Sequence, residues 1–121
     1  MTVRHGFEFN YKLAAVQVEA HAGALSPRHS FVTATPDNVV LTAMKKAEDA
    51  NGLVFHLYEW AGKPGSIEIT VPPGATAATE TNLMEQPLGQ PLTVSGDKIT
   101  VPVRPYEIVA VRVDYSSPSG R

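Results

Sequence analysis

Residues 37–59 constrain the fold of this chain more than any other stretch. They consist of an apolar segment, a polar turn that ends in Asn51-Gly52, and a second apolar segment. An Asn-Gly pair between two apolar runs is a strong signal for a β-hairpin, because both residues tolerate a positive φ angle. The sequence therefore predicts two antiparallel strands, over 38–47 and 53–59, joined by a tight turn at Asn51-Gly52.

The rest of the chain contains frequent turn residues, as is typical of an all-β protein. Ten prolines and nine glycines interrupt it at short intervals, and apolar residues alternate with polar ones between them, as at Ile67, Ile69 and Val71. Two packed antiparallel sheets are the usual way to bury many strands that are apolar on one face. We therefore expect an all-β, antiparallel two-sheet β-sandwich of about eight short strands, with residues 1–121 forming a single domain and no helix.

Residues 40–49 offer an alternative, because their alanine, methionine, lysine and glutamate residues favour a helix. The run from Val39 to Thr42 is rich in β-formers, and the Asn-Gly pair that follows fits a hairpin better. The hairpin is therefore the preferred interpretation of this segment.

The strand predicted over 53–59 is apolar or aromatic on both faces. Phe55 and Leu57 are expected to face the core. A strand with a solvated outer face alternates more cleanly than this one. We therefore expect the opposite face, formed by Val54, His56 and Tyr58, to be partly exposed in this chain alone, or buried by self-association. In a larger protein, another domain or a loop should cover it.

The composition of the chain argues against several classes of binding partner and site. The formal net charge of −2 argues against nucleic acid and anionic membranes, since both require a basic surface. No apolar run approaches the roughly 20 residues that cross a bilayer, and residues 1–12 contain no apolar signal-peptide core. The chain has no cysteine, which excludes disulfides and Cys-based zinc sites and fits a cytoplasmic protein.

No local motif for catalysis or metal binding is present, neither Gly-x-Ser-x-Gly, nor a P-loop, nor His-Glu-x-x-His. We therefore expect no catalytic residue and no metal ligand in this chain. The best candidates for lining a substrate cleft are His56, Tyr58, Glu59 and Trp60. An acid beside aromatic rings can hydrogen-bond a sugar hydroxyl while a ring stacks on the sugar. Equally, the aromatic residues could only cap one end of the sandwich, and His56 could be an isolated surface histidine.

Several short motifs, in order along the chain, resemble one family. They are NVVLTAMKKAEDANGLVFHLYEWAG at 38–62, ATETNLME at 78–85, which is similar to the family's ATETDLLE, and RPYEI at 104–108, which is similar to its RPFEI. The resemblance extends from about Phe31 to Val113. The family is the C-terminal β-sandwich domain of glycoside hydrolase family 38, the retaining α-mannosidases.

This resemblance implies a sandwich that follows a catalytic barrel and a helical segment in a larger enzyme. The family's nucleophile and zinc ligands lie in that catalytic domain, so zinc is expected there and no cofactor in this chain. The implied partner is the catalytic domain, with carbohydrate as a second candidate. Many relatives have arginine before the Leu-Tyr-Glu motif, where this chain has His56. Two other functions stay open, an independent carbohydrate-binding module and a small stand-alone enzyme.

Overall fold

The computed structural model describes residues 2–49 and 51–116. It divides into two compact units, Met1–Ser30 and Phe31–Arg121, and each is described by itself.

The first unit contains a helix, α1 (Thr2–Asn10). Its C-terminal end is held by local contacts, since the Tyr11 N–H donates to the Phe7 carbonyl at 2.9 Å and the rings of these two residues stack with their centroids 5.5 Å apart. The Asn10 side chain also donates to the Gly6 carbonyl at 2.7 Å. Such i,i+4 pairs stabilise a helix even where no residue is buried. The expectation that the chain has no helix is therefore wrong. Regular secondary structure is absent from the described residues 11–30.

The second unit is built from strands, and within the described residues there are nine. They are β1 (Thr33–Thr35), β2 (Val39–Lys46), β3 (Gly52–Glu59), β4 (Gly65–Thr70), β5 (Ala75–Thr81), β6 (Pro87–Pro91), β7 (Thr93–Ser95), β8 (Lys98–Val103) and β9 (Ile108–Tyr115).

These strands form two antiparallel sheets. The four-stranded sheet has the order β1-β4-β8-β7, and the five-stranded sheet has the order β2-β3-β9-β5-β6. The inward side chains of both sheets make one core, because strands such as β3 and β8 alternate between buried and more exposed residues. Its members include Phe55, Leu57, Ile67, Ile69, Val71, Ile99, Val101, Val109, Val111 and Val113. The predicted two-sheet β-sandwich is confirmed.

The hairpin of β2 and β3 is also confirmed, but its turn differs from the prediction. β2 ends at Lys46 and β3 begins at Gly52, and a hydrogen bond of 2.9 Å from the Ala47 N–H to the Gly52 carbonyl closes the connection between them. Gly52 is the first residue of β3, and its φ lies outside the left-handed region. A Cβ at Gly52 would lie 2.8 Å from the carbonyl oxygen of Val113 on the neighbouring strand. Close backbone approach, not a positive φ, is therefore what requires glycine here.

The outer face of β3 is covered only in part. Val54 is fully buried in a small cluster with Ala47 and Ala110, whereas His56 and Tyr58 are half-buried. The loop after β5, residues 82–86, reaches this side of the sheet. There the carboxylate of Glu85 meets the ammonium of Lys45 on β2 at 2.6 Å.

Candidate functional site

Glu59, the last residue of β3, has a buried carboxylate that joins three segments of the chain. Its side chain is 1% exposed. Oε1 accepts hydrogen bonds from Nδ2 of Asn38, at 2.9 Å, and from the Ala61 N–H, at 3.0 Å. Oε2 accepts hydrogen bonds from the backbone N–H groups of Gly62 and Tyr106, both at 2.8 Å. The carboxylate thus holds together the start of β2, the turn after β3 and the turn before β9.

The hydrogen-bond donors around Glu59 determine whether its carboxyl group is ionised. Burial raises the pKa of a carboxyl group, but hydrogen bonds to the ionised form lower it. Here the bonds from the Tyr106 N–H, the Asn38 amide and the backbone of the turn after β3 outweigh burial and hold the pKa of Glu59 at about 2. Glu59 is therefore ionised at neutral pH, with its oxygens already occupied by donors of the chain. This arrangement argues against a direct contact between Glu59 and a sugar.

Tyr106 adopts a backbone conformation that is rare for an aromatic residue. Its φ is +58°, within a turn closed by the Glu107 N–H donating to the Arg104 carbonyl at 3.2 Å. The hydroxyl end of its ring lies against Gly62, where a Cβ would come within 2.6 Å of Cζ and Oη. Gly62 itself has a φ of +72°. Tyr106 is nevertheless 62% exposed as a residue.

The other three predicted cleft residues lie in two places. His56 and Tyr58 point to the outer face of the five-stranded sheet, opposite to the side on which Glu59 is buried. Trp60 is half-buried in the turn after β3, where its N–H donates to the Asn38 carbonyl at 3.0 Å. The four residues are adjacent in sequence but do not converge on one point. A contact of His56, Tyr58 or Trp60 with substrate stays a prediction.

A groove near the start of β9 contains two carboxylates that sequence reasoning did not pair. Glu80 and Glu107 line it together with Arg104, and its volume is about 380 Å³. Burial and the nearby Glu107 raise the pKa of Glu80. The guanidinium of Arg104, 2.7 Å from Glu107, lowers the pKa of Glu107. The separation between positions 80 and 107 in the sequence gave no signal for this pair.

Apolar side chains form the other wall of the same groove. They belong to Leu83, Leu88, Ile108 and Ala110. Of these, Leu83 is 74% exposed and Ile108 is 69% exposed. The groove therefore combines one ion pair, one further acid and an apolar wall.

Two further properties bear on the class of site. Within residues 2–49 and 51–116, no group of three or more histidine, cysteine, aspartate or glutamate side chains is arranged to hold a metal ion. In the same part of the chain, no helix has the length and apolarity that crossing a membrane requires.

Comparison with known proteins identifies the family. A search of curated proteins returns no significant match. Residues 38–111 match the family model described as the glycosyl hydrolases family 38 C-terminal beta sandwich domain. This range covers more than half of the chain and runs from the start of β2 into β9, so it contains most of both sheets. The chain therefore belongs to the family of glycosyl hydrolase family 38 C-terminal β-sandwich domains.

Proposed function

We propose that this chain is a non-catalytic domain of an α-mannosidase-like glycoside hydrolase. It packs on the catalytic domain of that enzyme and lines part of the substrate cleft. The observation that carries the proposal is the family match over residues 38–111. A cytoplasmic location belongs to the same proposal and rests only on the cysteine-free composition of the chain.

Part of the outer face of the five-stranded sheet is apolar and not fully buried within this chain. This supports the proposal that it packs on another domain. Val40, Tyr58 and Ile108 are direct neighbours on β2, β3 and β9, so they form an apolar row across three strands. Exposed Leu83 and Leu88 lie beside Ile108 in the groove. The solvated face of an antiparallel sheet is normally polar, and a contiguous apolar patch on a surface is typical of an interaction site.

The environment of Glu59 supports a non-catalytic role for this residue. Glu59 is buried with both oxygens hydrogen-bonded, which leaves it unable to act as a nucleophile or a general acid. The nucleophile and the zinc ion that the family implies are assigned by this proposal to the catalytic domain. In this proposal, the chain contributes to the enzyme a surface on which the catalytic domain packs.

Association with a catalytic domain tests the proposal. The chain would be mixed with the separately purified catalytic domain of a family 38 α-mannosidase from the same organism, and complex formation measured by sedimentation velocity. We expect a complex that Ile108→Asp weakens at least about tenfold, because a charge would be buried in an apolar contact.

Thr100→Asp is the matched control, since Thr100 is an exposed residue of β8 on the four-stranded sheet. It introduces the same charge on the opposite side of the sandwich and should leave association unchanged. Absence of a complex with the unmodified chain, or equal weakening by both variants, would refute the proposed docking face.

A further inference from the structure

Two residues other than glycine have a positive φ within the described residues, Glu85 and Tyr106. Residues held in this region store strain, and such strain persists where the surroundings or a function require it. For Glu85 the reason lies inside the chain. Its carboxylate meets Lys45 at 2.6 Å and accepts the Glu48 N–H at 3.1 Å, and its side chain is only 8% exposed.

The side chain of Tyr106 packs against Gly62, but no ion pair or hydrogen bond of that side chain within the described residues supplies a comparable reason. Its ring is mostly exposed, and its hydroxyl makes no hydrogen bond within the described residues. Glycine or asparagine adopts this backbone conformation at a lower cost. A chain that needed only the turn would be more stable with one of them. The aromatic ring therefore points to a contact outside the chain.

The surroundings hold the turn that carries the ring. The buried carboxylate of Glu59 accepts the Tyr106 N–H, and Gly62 supports the hydroxyl end of the ring. Arg104 and Glu107 close the turn with two side-chain hydrogen bonds, of 3.0 and 2.7 Å, and with a bond of 2.7 Å from the Arg104 N–H. A ring on a turn that is held in this way has less conformational freedom to lose when a ligand binds, which favours binding.

We propose that Tyr106 is a ligand-contact residue, and that its exposed ring stacks on the C–H face of a pyranose. The sugar class rests on the proposed function, since the ligand of a glycoside hydrolase cleft is a glycan. The neighbouring groups fit that ligand. The guanidinium of Arg104, on a side chain that is 85% exposed, is placed to donate to sugar hydroxyls, and an aromatic face suits the apolar face of a sugar ring.

Titration with methyl α-D-mannopyranoside tests this proposal. Amide shifts of the isotope-labelled chain would be followed by NMR up to about 100 mM sugar, because a single stacking contact binds in the millimolar range or weaker. We expect saturable shifts confined to residues 60–62 and 104–108. Tyr106→Gly should abolish them while its Tm stays equal to or above that of the unmodified chain. Tyr106→Phe should keep them.

Absence of saturable shifts in 104–108 would overturn the proposal, as would retention of binding by Tyr106→Gly. If Tyr106→Gly fails to fold, Tyr106→Asn takes its place, since asparagine tolerates the same φ, and the same two outcomes apply. Thr100→Ala, on the exposed face of β8 in the four-stranded sheet, is the control variant and should leave the sugar shifts unchanged.

Docking on the catalytic domain is measured separately. Sugar shifts that persist while docking is absent would refute the proposed function alone. Docking that Tyr106→Gly weakens, with no sugar shifts, would make Tyr106 a protein contact and overturn this inference alone.

Discussion

The backbone N–H of Tyr106 donates a hydrogen bond of 2.8 Å to Oε2 of Glu59, 47 residues earlier in the chain. This bond joins the turn before β9 to the end of β3. Because the same carboxylate also accepts bonds from Asn38, Ala61 and Gly62, one side chain organises this end of the sandwich. The surface that displays Trp60 and Tyr106 depends on it.

Replacing Glu59 with alanine should destabilise the fold strongly. The substitution leaves four donors without their acceptor, three of them backbone N–H groups, and a buried donor without a partner is costly. We expect Tm to fall by at least about 5–10 °C in thermal unfolding followed by circular dichroism. Glu48→Ala is the control, since Glu48 has a side chain that is 83% exposed and meets Lys45 only at 3.9 Å. It should shift Tm by less than about 2 °C. Equal shifts would mean that the Glu59 network contributes little.

The stability of the chain should depend on pH through Glu59. Its pKa is about 2 in the folded chain, against an ordinary value of 4.5. A depressed folded pKa stabilises the fold fully above the unfolded value, and this contribution is lost as pH falls from about 4.5 towards 2. Glu85 and Glu107, whose pKa values are also lowered, act in the same direction. Glu80, whose pKa is raised, acts in the opposite direction.

Urea unfolding at pH 7, 5 and 3 measures this dependence. Glu59→Gln removes the titrating group, so the stability difference between the unmodified chain and this variant should shrink below pH 4. A difference that stays constant down to pH 3 would contradict the depressed pKa of Glu59.

The strands could be predicted from the sequence because their signal is local. Alternation at Ile67, Ile69 and Val71 places these side chains on one face, and all three are buried in the core. The helix α1 was missed because its stabilising contacts, the Phe7–Tyr11 stack and the Asn10 bond to the backbone, are not a periodic apolar face.

The candidate site was predictable only in part, since its geometry depends on distant partners. Glu59 stands out in sequence as an acid between two aromatic residues, which suggested a sugar contact. Its burial follows from donors at Asn38 and Tyr106, which only the fold brings to it. The positive φ of Tyr106 could not be predicted from the sequence, because glycine or asparagine is the usual residue at such a position.

Gly52→Val should destabilise the chain for a reason other than the one the Asn-Gly motif suggests. A Cβ at Gly52 would lie 2.8 Å from the Val113 carbonyl and 3.1 Å from Oδ1 of Asp114. Because the first of these atoms belongs to the backbone, β3 and β9 would have to separate locally. We expect a loss of about 1–3 kcal/mol in the free energy of unfolding, measured with urea.

Gly52→Ala should cause a smaller loss in the same direction, since it adds the clashing Cβ without the branch. Gly23→Ala is the control, because a Cβ at Gly23 would meet no heavy atom within 4 Å. An unchanged stability of Gly52→Val would mean that the approach of β3 to β9 is looser than the structure has it.

The purified chain should not hydrolyse aryl α-mannosides. Retaining glycosidases need two carboxyl groups about 5–5.5 Å apart, one of them free to attack the sugar, and Glu59 is buried and fully hydrogen-bonded. We expect release of 4-nitrophenol from 4-nitrophenyl α-D-mannopyranoside at the rate of buffer alone, with or without added zinc. Hydrolysis that EDTA abolishes would contradict this prediction. Zinc-independent hydrolysis that both Glu80→Gln and Glu107→Gln abolish would contradict the prediction in another way. The pKa values of these two groups are displaced in opposite directions, which suits a general acid and a nucleophile. This result would therefore make their groove an active site.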